Sequence, residues 1–178
     1  MKDTLKNPWD INKVEFEVLA SFAANSETDL LRVLKDNSFL FYELFSRKYT
    51  IQPIFREISL GAKLRCDFAW LNDNSDGPEW VLVEVEKPNM KIFNSNKKPS
   101  AALNSAIEQV KTWERYFFEN PSERKRIFGA VAKFKFILIA GMDKIGMMKL
   151  QSNGETTIIL HQILKSAQQK FSKGRFKK

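Results

Sequence analysis

Two neighbouring segments near the middle of the chain alternate between apolar and polar positions. In residues 62–71, AKLRCDFAWL, the more polar face includes Asp67, and in residues 79–86, EWVLVEVE, the valines alternate with positions that include Glu84 and Glu86. A period of two predicts β-strands. The sequence between them, NDNSDGP, is typical of a turn, so we expect the two strands to pair antiparallel as a hairpin.

The pattern before this hairpin predicts a helix and another strand. A capping signal at Ser26 starts a helix that breaks near residues 36–38 and resumes over 39–45. The preceding segment, VEFEVLASFAA, fits either a helix or a strand that leads into one. TIQPIFREISL predicts a strand from about Ile51 to Leu60, ended by a glycine turn.

The clearest periodicity after the hairpin is that of AALNSAIEQVKTWERYFFEN, which predicts a helix with one stripe facing the core. The stripe consists of Leu103, Ile107, Val110, Glu114 and Phe117. We expect SERKRIFGAVAK to be partly helical, FKFILIAG to be a strand ended by Gly141, ETTIILHQ to be another strand and QILKSAQQKF to be a closing helix.

This order of elements predicts an α/β fold with one mixed β-sheet flanked by helices. The sequence runs helix, three strands, helix, strand, then a further strand and helix. We expect residues 1–25 to form an N-terminal extension and residues 26–178 to form a single domain with a basic C-terminal tail.

Composition limits the classes of function. The chain of 178 residues has one cysteine, Cys66, and one histidine, His161, which excludes an intramolecular disulfide, a cysteine-cluster metal site and HNH-type nuclease chemistry within one chain. No apolar run approaches the roughly 20 residues that cross a bilayer. The first residues have no signal-peptide core, so we expect a cytoplasmic protein with no membrane partner. The net charge of +8 favours a polyanionic partner such as nucleic acid.

An acidic cluster is the main chemical feature of the predicted hairpin. Asp67 lies on the polar face of one strand, and Glu84 and Glu86 lie on the polar face of the next, where cross-strand neighbours are about 5 Å apart. Carboxylates this close need a cation or a raised pKa. Oxygen ligands suit Mg²⁺ or Mn²⁺, which can activate water against a phosphate. The alternative interpretation is an ordinary solvated face of an antiparallel hairpin.

The helix after the hairpin carries a second candidate group. Gln109, Trp113 and Tyr116 share one face at helical spacing. The alternative is that the aromatic residues are core and that Gln109 is bonded to a backbone group.

These features in this order resemble those of the PD-(D/E)xK nuclease superfamily, and more narrowly the C-terminal nuclease domain of Shedu-type anti-phage proteins. The resemblance rests on SETDLLRVLKDN, LRCDFAWL, VLVEVEKP, SAIEQVKTWERYF and FKFILIAG, and it covers the chain from Glu27 to Leu164. It implies a restriction-endonuclease-like core, hydrolysis of DNA with Mg²⁺ or Mn²⁺, and a role in prokaryotic defence against phage or plasmids. It also implies self-assembly or a partner subunit that senses the invader.

The resemblance assigns roles to individual positions. The metal-binding aspartate of the superfamily corresponds to Asp67 and its metal-binding glutamate to Glu84. A glutamate on the first core helix corresponds best to Glu27, with Asp29 and Glu43 as alternatives.

The catalytic positions match less completely. Gln109 corresponds to a helix glutamine that lies beside the site with an aromatic residue one turn on, here Trp113. The superfamily usually has lysine two residues after the glutamate, whereas this chain has Glu86 there and Lys87 one later. Glu86 can bind metal or accept a proton, and Lys87 reaches the site only if the strand bulges. Lys63, Lys91 and Lys111 are the other candidates for a displaced ammonium group.

Basic residues are concentrated where they can flank a bound phosphate backbone. The predicted nucleic-acid contacts are Lys91, Lys97 and Lys98 after the acidic strand and Arg124, Lys125 and Arg126 in the basic segment. The alternative is a surface that is only solvated.

Three hypotheses follow from the sequence. The first is a metal-dependent DNA nuclease in which Glu86 is a second ligand or the base. The second is a catalytically silent relative that binds nucleic acid or serves assembly, which the glutamate at the lysine position favours. The third is a basic α/β interaction domain that is unrelated to nucleases.

Overall fold

The computed structural model describes residues 16–17, 20–21, 24–37, 53–140, 150–152 and 155–159. Its elements follow the order α1 (Glu27–Asp36), β1 (Phe55–Leu60), β2 (Leu64–Asn74), β3 (Gly77–Val85), α2 (Ala101–Glu119), α3 (Pro121–Phe128), β4 (Lys133–Ala140), β5 (Leu150–Ser152) and β6 (Glu155–Ile159). Residues 16–17, 20–21 and 24, the described part of the segment that fitted either a helix or a strand, are helical. The helix expected over 39–45, the closing helix, Glu43, Gly141 and His161 lie outside the described residues.

The strands form a mixed sheet, as predicted. In the described part of the chain it has six strands in the order β1-β2-β3-β4-β6-β5. The first three strands pair antiparallel, β4 pairs parallel with both β3 and β6, and β5 pairs antiparallel with β6. The parallel pairing of β3 with β4 requires a crossover, which α2 and α3 provide. The short strand β5 was not predicted from the sequence.

Helix α1 begins and ends where the sequence signals indicated. The Ser26 hydroxyl accepts a hydrogen bond from the Asp29 backbone N–H at 3.1 Å, which caps the first turn. At the other end, the Asn37 side chain donates to the Val33 carbonyl oxygen at 2.9 Å. These two caps explain why the helix occupies Glu27–Asp36 and stops at the predicted break.

The β2–β3 hairpin is tighter than its sequence predicts. The expected seven-residue turn is reduced to Ser75 and Asp76, because β2 continues to Asn74 and β3 begins at Gly77. Gly77 has a φ of 101, a conformation that side chains rarely tolerate. Asn72 pairs with Glu79 across the hairpin, and its side-chain amide donates to the Glu79 carboxylate at 3.3 Å. Cross-strand pairing therefore overrides the weak strand propensity of asparagine and aspartate.

Helix α2 packs on the sheet through a stripe that differs from the predicted one. Ile107 is only half-buried and Glu114 is exposed. The buried positions are Leu103, Ala106, Val110, Trp113 and Phe117. This correction arises because the same helical period fits two neighbouring stripes, and contact with the sheet selects between them.

One end of α2 is fixed by aromatic packing. The Phe117 ring lies 5.3 Å from the ring of Phe128 and 4.9 Å from that of Phe134. The indole N–H of Trp80 donates to the Phe128 carbonyl oxygen at 2.9 Å. This cluster holds α2, α3 and the beginning of β4 together. None of the helices in the described ranges is long and apolar enough to span a bilayer.

Candidate functional site

Strands β2 and β3 stop pairing at the position of Asp67. Their backbone register runs from Asn74–Gly77 to Phe68–Val83, so Asp67 comes opposite Glu84 one step further along. There the Asp67 carboxylate accepts a hydrogen bond from the Val85 backbone N–H at 2.8 Å. The Asp67 side chain therefore provides an acceptor for the Val85 N–H, which would otherwise need one from the neighbouring strand.

Strand β1 is also irregular beside Asp67. Glu57 falls between the paired residues Arg56 and Ile58, has no partner in the β1–β2 register and adopts a φ of 53. A positive φ is uncommon for a residue other than glycine, and strained backbone of this kind occurs preferentially at functional sites. The Lys35 ammonium group lies 2.7 Å from the Glu57 carboxylate and links this point to the end of α1.

Glu84 is a buried carboxylate with one satisfied and one unsatisfied oxygen. The side-chain amide of Gln109 donates a hydrogen bond to Oε1 of Glu84. Oε2 of Glu84 is buried and has no hydrogen-bond partner. Burial, followed by the negative charges of Asp67, Glu86 and Glu27, raises the pKa of Glu84 to about 9. Such a carboxylate requires either a proton or a cation.

Two further carboxylates act on this pair. Glu86 follows β3 directly, is half-buried, and its backbone N–H donates to the Ile139 carbonyl oxygen at 2.8 Å. Burial and the charge of Glu27 raise the pKa of Glu86. Burial and the same glutamate raise the pKa of Asp67, against the hydrogen bond from Val85. The structure thus places four predicted carboxylates close enough for their charges to interact: Glu27, Asp67, Glu84 and Glu86.

The alternative of a solvated hairpin face does not hold. Asp67 and Glu84 are each only 9% exposed. The alternative for helix α2, with aromatic residues in the core and Gln109 bonded to a backbone group, is confirmed for Trp113 but not for Gln109. Trp113 is a core residue with no exposure, whereas Gln109 bonds the Glu84 side chain and not a backbone group.

Two of these carboxylates, Asp67 and Glu84, suit a divalent cation as its protein ligands. Within the described ranges, no group of three or more His, Cys, Asp or Glu side chains is arranged to hold a metal ion. Mg²⁺ commonly binds one or two carboxylates and keeps several water molecules. The unsatisfied buried oxygen of Glu84 and the adjacent Asp67 carboxylate suit that arrangement. Glu27 and Glu86 then act at longer range.

The lysines considered from the sequence occupy different surroundings. Lys87 is exposed, and its charge and backbone N–H act on Glu86. Lys111 lies 3.3 Å from the carboxylate of Glu108 on α2. Lys63 and Lys91 are exposed.

Two cations beside the site were not predicted. Burial raises the pKa values of Asp67 and Glu84, and the positive charge of Arg65 offsets part of both rises, while that of Lys35 offsets part of the rise for Asp67. The sequence contained one signal for Arg65, its alternation onto the Asp67 face of β2. It contained none for Lys35, which reaches the site from another element.

The two predicted basic groups lie on different connections. The loop between the C-terminal end of β3 and the start of α2 contains Lys91, Lys97 and Lys98. This loop, residues 91–100, is internally ordered: the Asn94 side-chain oxygen accepts from the backbone N–H groups of Asn96 at 2.9 Å and Lys98 at 3.0 Å. The loop lysines therefore belong to an ordered connection that follows the strand carrying Glu84.

The second basic group lies on α3, which precedes β4. Arg124 and Lys125 line an open pocket of about 410 Å³, whereas Arg126 is bound to the carboxylate of Glu123 at 2.8 Å. Since Phe128 packs beside Trp80, four residues before Glu84, the structure does not bring this group next to the carboxylates.

Comparison with known proteins supports the resemblance seen in the sequence. A search of curated proteins finds no match to this chain. The family described as "Shedu protein SduA, C-terminal" matches residues 24–157, more than half of the chain, and that range contains all the carboxylates described above. The protein therefore belongs to the Shedu SduA C-terminal family.

Proposed function

We propose that this domain is a Mg²⁺-dependent endonuclease that hydrolyses phosphodiester bonds in DNA. The observation that carries the proposal is the buried pair Asp67 and Glu84, which lie opposite each other where two strands separate. The second oxygen of Glu84 has no hydrogen-bond partner there. Membership in the Shedu family implies a role in anti-phage defence, and a nuclease is an effective agent against phage DNA.

Each side chain has a separate task in this proposal. Asp67 and Glu84 would hold the metal, which when bound would supply a Lewis acid for the phosphate and lower the pKa of a coordinated water. Val85 fixes the Asp67 carboxylate and Gln109 fixes that of Glu84. Burial raises the pKa of Glu86, which makes its carboxylate a stronger base than that of an exposed glutamate. Glu86 would therefore accept the proton of the attacking water. Glu27 adds negative charge that favours cation binding.

The test is cleavage of supercoiled and linear DNA with Mg²⁺ or Mn²⁺ by native protein, Asp67→Asn and Glu84→Gln. Glu108→Gln, an exposed carboxylate substitution on α2, is the matched control. Loss of a metal ligand is expected to lower the cleavage rate by about 100-fold or more, with Glu108→Gln unchanged. Calorimetric titration with Mn²⁺ should show weakened binding for the same two variants.

The second candidate is a catalytically silent domain that binds nucleic acid. It is favoured by the position of Glu86, where a lysine is usual, and by the lack of a three-carboxylate metal group among the described residues. DNA binding by native protein with no cleavage under either metal, and with no effect of Glu84→Gln, would establish this function instead.

A further inference from the structure

We propose that Arg65 is the phosphate-binding cation of the carboxylate site. In this role Arg65, which lies on β2, provides the positive charge that a lysine at the position of Glu86 would provide. The inference rests on the proposed nuclease function, and it identifies the group that holds the DNA backbone beside Asp67.

The position of Arg65 follows from the strand. It lies two residues before Asp67 on β2 and pairs with Ser59 of β1. Alternation along a strand places residues two apart on the same face. Arg65 is exposed, whereas Asp67 is buried, so the guanidinium lies at the solvent side of the carboxylate site.

Arg65 carries an exposed side chain on the strand that also carries Asp67. Among the described residues, none of the ion pairs within 4.0 Å involves Arg65. A guanidinium without a carboxylate partner can bind a phosphate through two parallel hydrogen bonds.

The neighbouring cations are less suited to this task. Lys35 is engaged with Glu57 at 2.7 Å. Lys87 acts on Glu86, beyond the end of β3. Arg65 is therefore the cation on β2 that would be available to a phosphate beside Asp67 and Glu84.

The test measures DNA binding and cleavage separately. Fluorescence anisotropy with a labelled duplex, in EDTA and in Ca²⁺, is compared for native protein, Arg65→Ala, Arg65→Lys and Arg115→Ala across a salt series. Arg115 is an exposed arginine on α2, so its substitution removes the same charge away from the site. Arg65→Ala is expected to bind about tenfold more weakly, and the slope of log affinity against log salt should fall by about 0.9. Arg115→Ala should retain the native slope, and Arg65→Lys should recover the slope but only part of the affinity.

The outcomes separate this inference from the nuclease function. A reduced salt slope for Arg65→Ala supports the phosphate contact whether or not the native protein cleaves DNA, and absent cleavage then counts only against the nuclease. An unchanged slope and affinity for Arg65→Ala, in protein whose thermal unfolding matches the native protein, overturn the inference even if native protein cleaves. Failure of native protein to bind DNA in both buffers overturns it as well.

Discussion

The Asp67 carboxylate accepts a hydrogen bond from the Val85 backbone N–H, 2.8 Å away, at the point where β2 and β3 stop pairing. A side chain here replaces the backbone partner that a continuous antiparallel ladder would provide. The Val85 N–H therefore keeps a hydrogen-bond partner, and the neighbouring residue Glu84 lies opposite a carboxylate that is fixed in position.

The first prediction concerns this hydrogen bond. Asp67→Ala leaves the Val85 N–H buried without its acceptor and should lower the free energy of unfolding by about 1–3 kcal/mol. Asp67→Asn retains an acceptor oxygen and should lower it by less. Urea unfolding at neutral pH without metal measures both. An equal loss for the two variants would contradict a contribution of this hydrogen bond to stability.

The second prediction concerns the pH dependence of stability in the absence of metal. Since the pKa of Glu84 is raised from 4.5 to about 9, the folded protein keeps a proton there that the unfolded chain has released. The stabilisation by the neutral carboxyl is complete below pH 4.5 and is lost as pH rises towards 9. Over that window one such group contributes a slope of at most about 1.4 kcal/mol per pH unit.

Glu84→Gln is the variant that isolates this effect. Its free energy of unfolding should fall less steeply between pH values of about 5 and 8 than that of native protein, so the two curves diverge with pH. Mn²⁺ binds the ionised carboxylate, so it should stabilise native protein increasingly as pH rises and should stabilise the variant little. Parallel curves for the two proteins would contradict the raised pKa.

The third prediction concerns the turn between β1 and β2. Gly61 has a φ of 71, and a Cβ there would overlap the Tyr116 hydroxyl oxygen. Gly129 has the same φ of 71, but a Cβ there would meet nothing within 4 Å. Gly61→Ala should therefore destabilise the protein by about 1–3 kcal/mol, and more than Gly129→Ala, which has only the backbone strain. Thermal unfolding of the two variants makes the comparison, and Tyr116→Phe in the Gly61→Ala background should restore part of the difference.

The fourth prediction concerns Cys66, the one cysteine of the sequence. Burial, followed by the charges of Glu84 and Asp67, raises the pKa of the thiol to about 12. Since the thiolate is the reactive form, labelling by a disulfide reagent at a pH of about 8 should require opening of the structure. We expect folded protein to react on the order of 100-fold more slowly than protein in urea, which should take up one equivalent. Rapid labelling of the folded protein would contradict this burial.

The fifth prediction compares the two basic groups. Lys97→Ser/Lys98→Ser removes two charges from the loop beyond β3, and Arg124→Ser/Lys125→Ser removes two from α3. The loop substitution should weaken DNA binding by about tenfold at moderate salt, because those lysines follow the strand that carries Glu84. The α3 substitution should have a smaller effect. Anisotropy titrations measure both, and equal losses would show that the bound DNA extends to the α3 pocket.

Strands β1 to β4 and β6 and helices α1 and α2 could be predicted from the sequence because each depends on local periodicity or on a cap, whereas the short strand β5 could not. The period of two in β2 and β3 assigns residues to faces, and Ser26 marks the start of α1 wherever that helix packs. The stripe of α2 was predicted correctly at Leu103, Val110 and Phe117. It was wrong by one position at Ile107 and Glu114, because neighbouring positions also fit a helical period and only contact with the sheet distinguishes them.

The chemical character of the site was decided by tertiary structure. Alternation does not say whether a polar face is covered, so the burial of Asp67 and Glu84 depends on helices that are distant in sequence. Gln109 lies 25 residues from Glu84 along the chain, and their hydrogen bond exists only because α2 crosses the sheet. The sequence by itself determined which carboxylates lie on neighbouring strands and that Arg65 shares a strand with Asp67, whereas tertiary structure determined that the carboxylates are desolvated and that Lys35 of α1 and Gln109 of α2 lie near them. Desolvation and charge coupling depend on distance in space, which local sequence pattern does not encode.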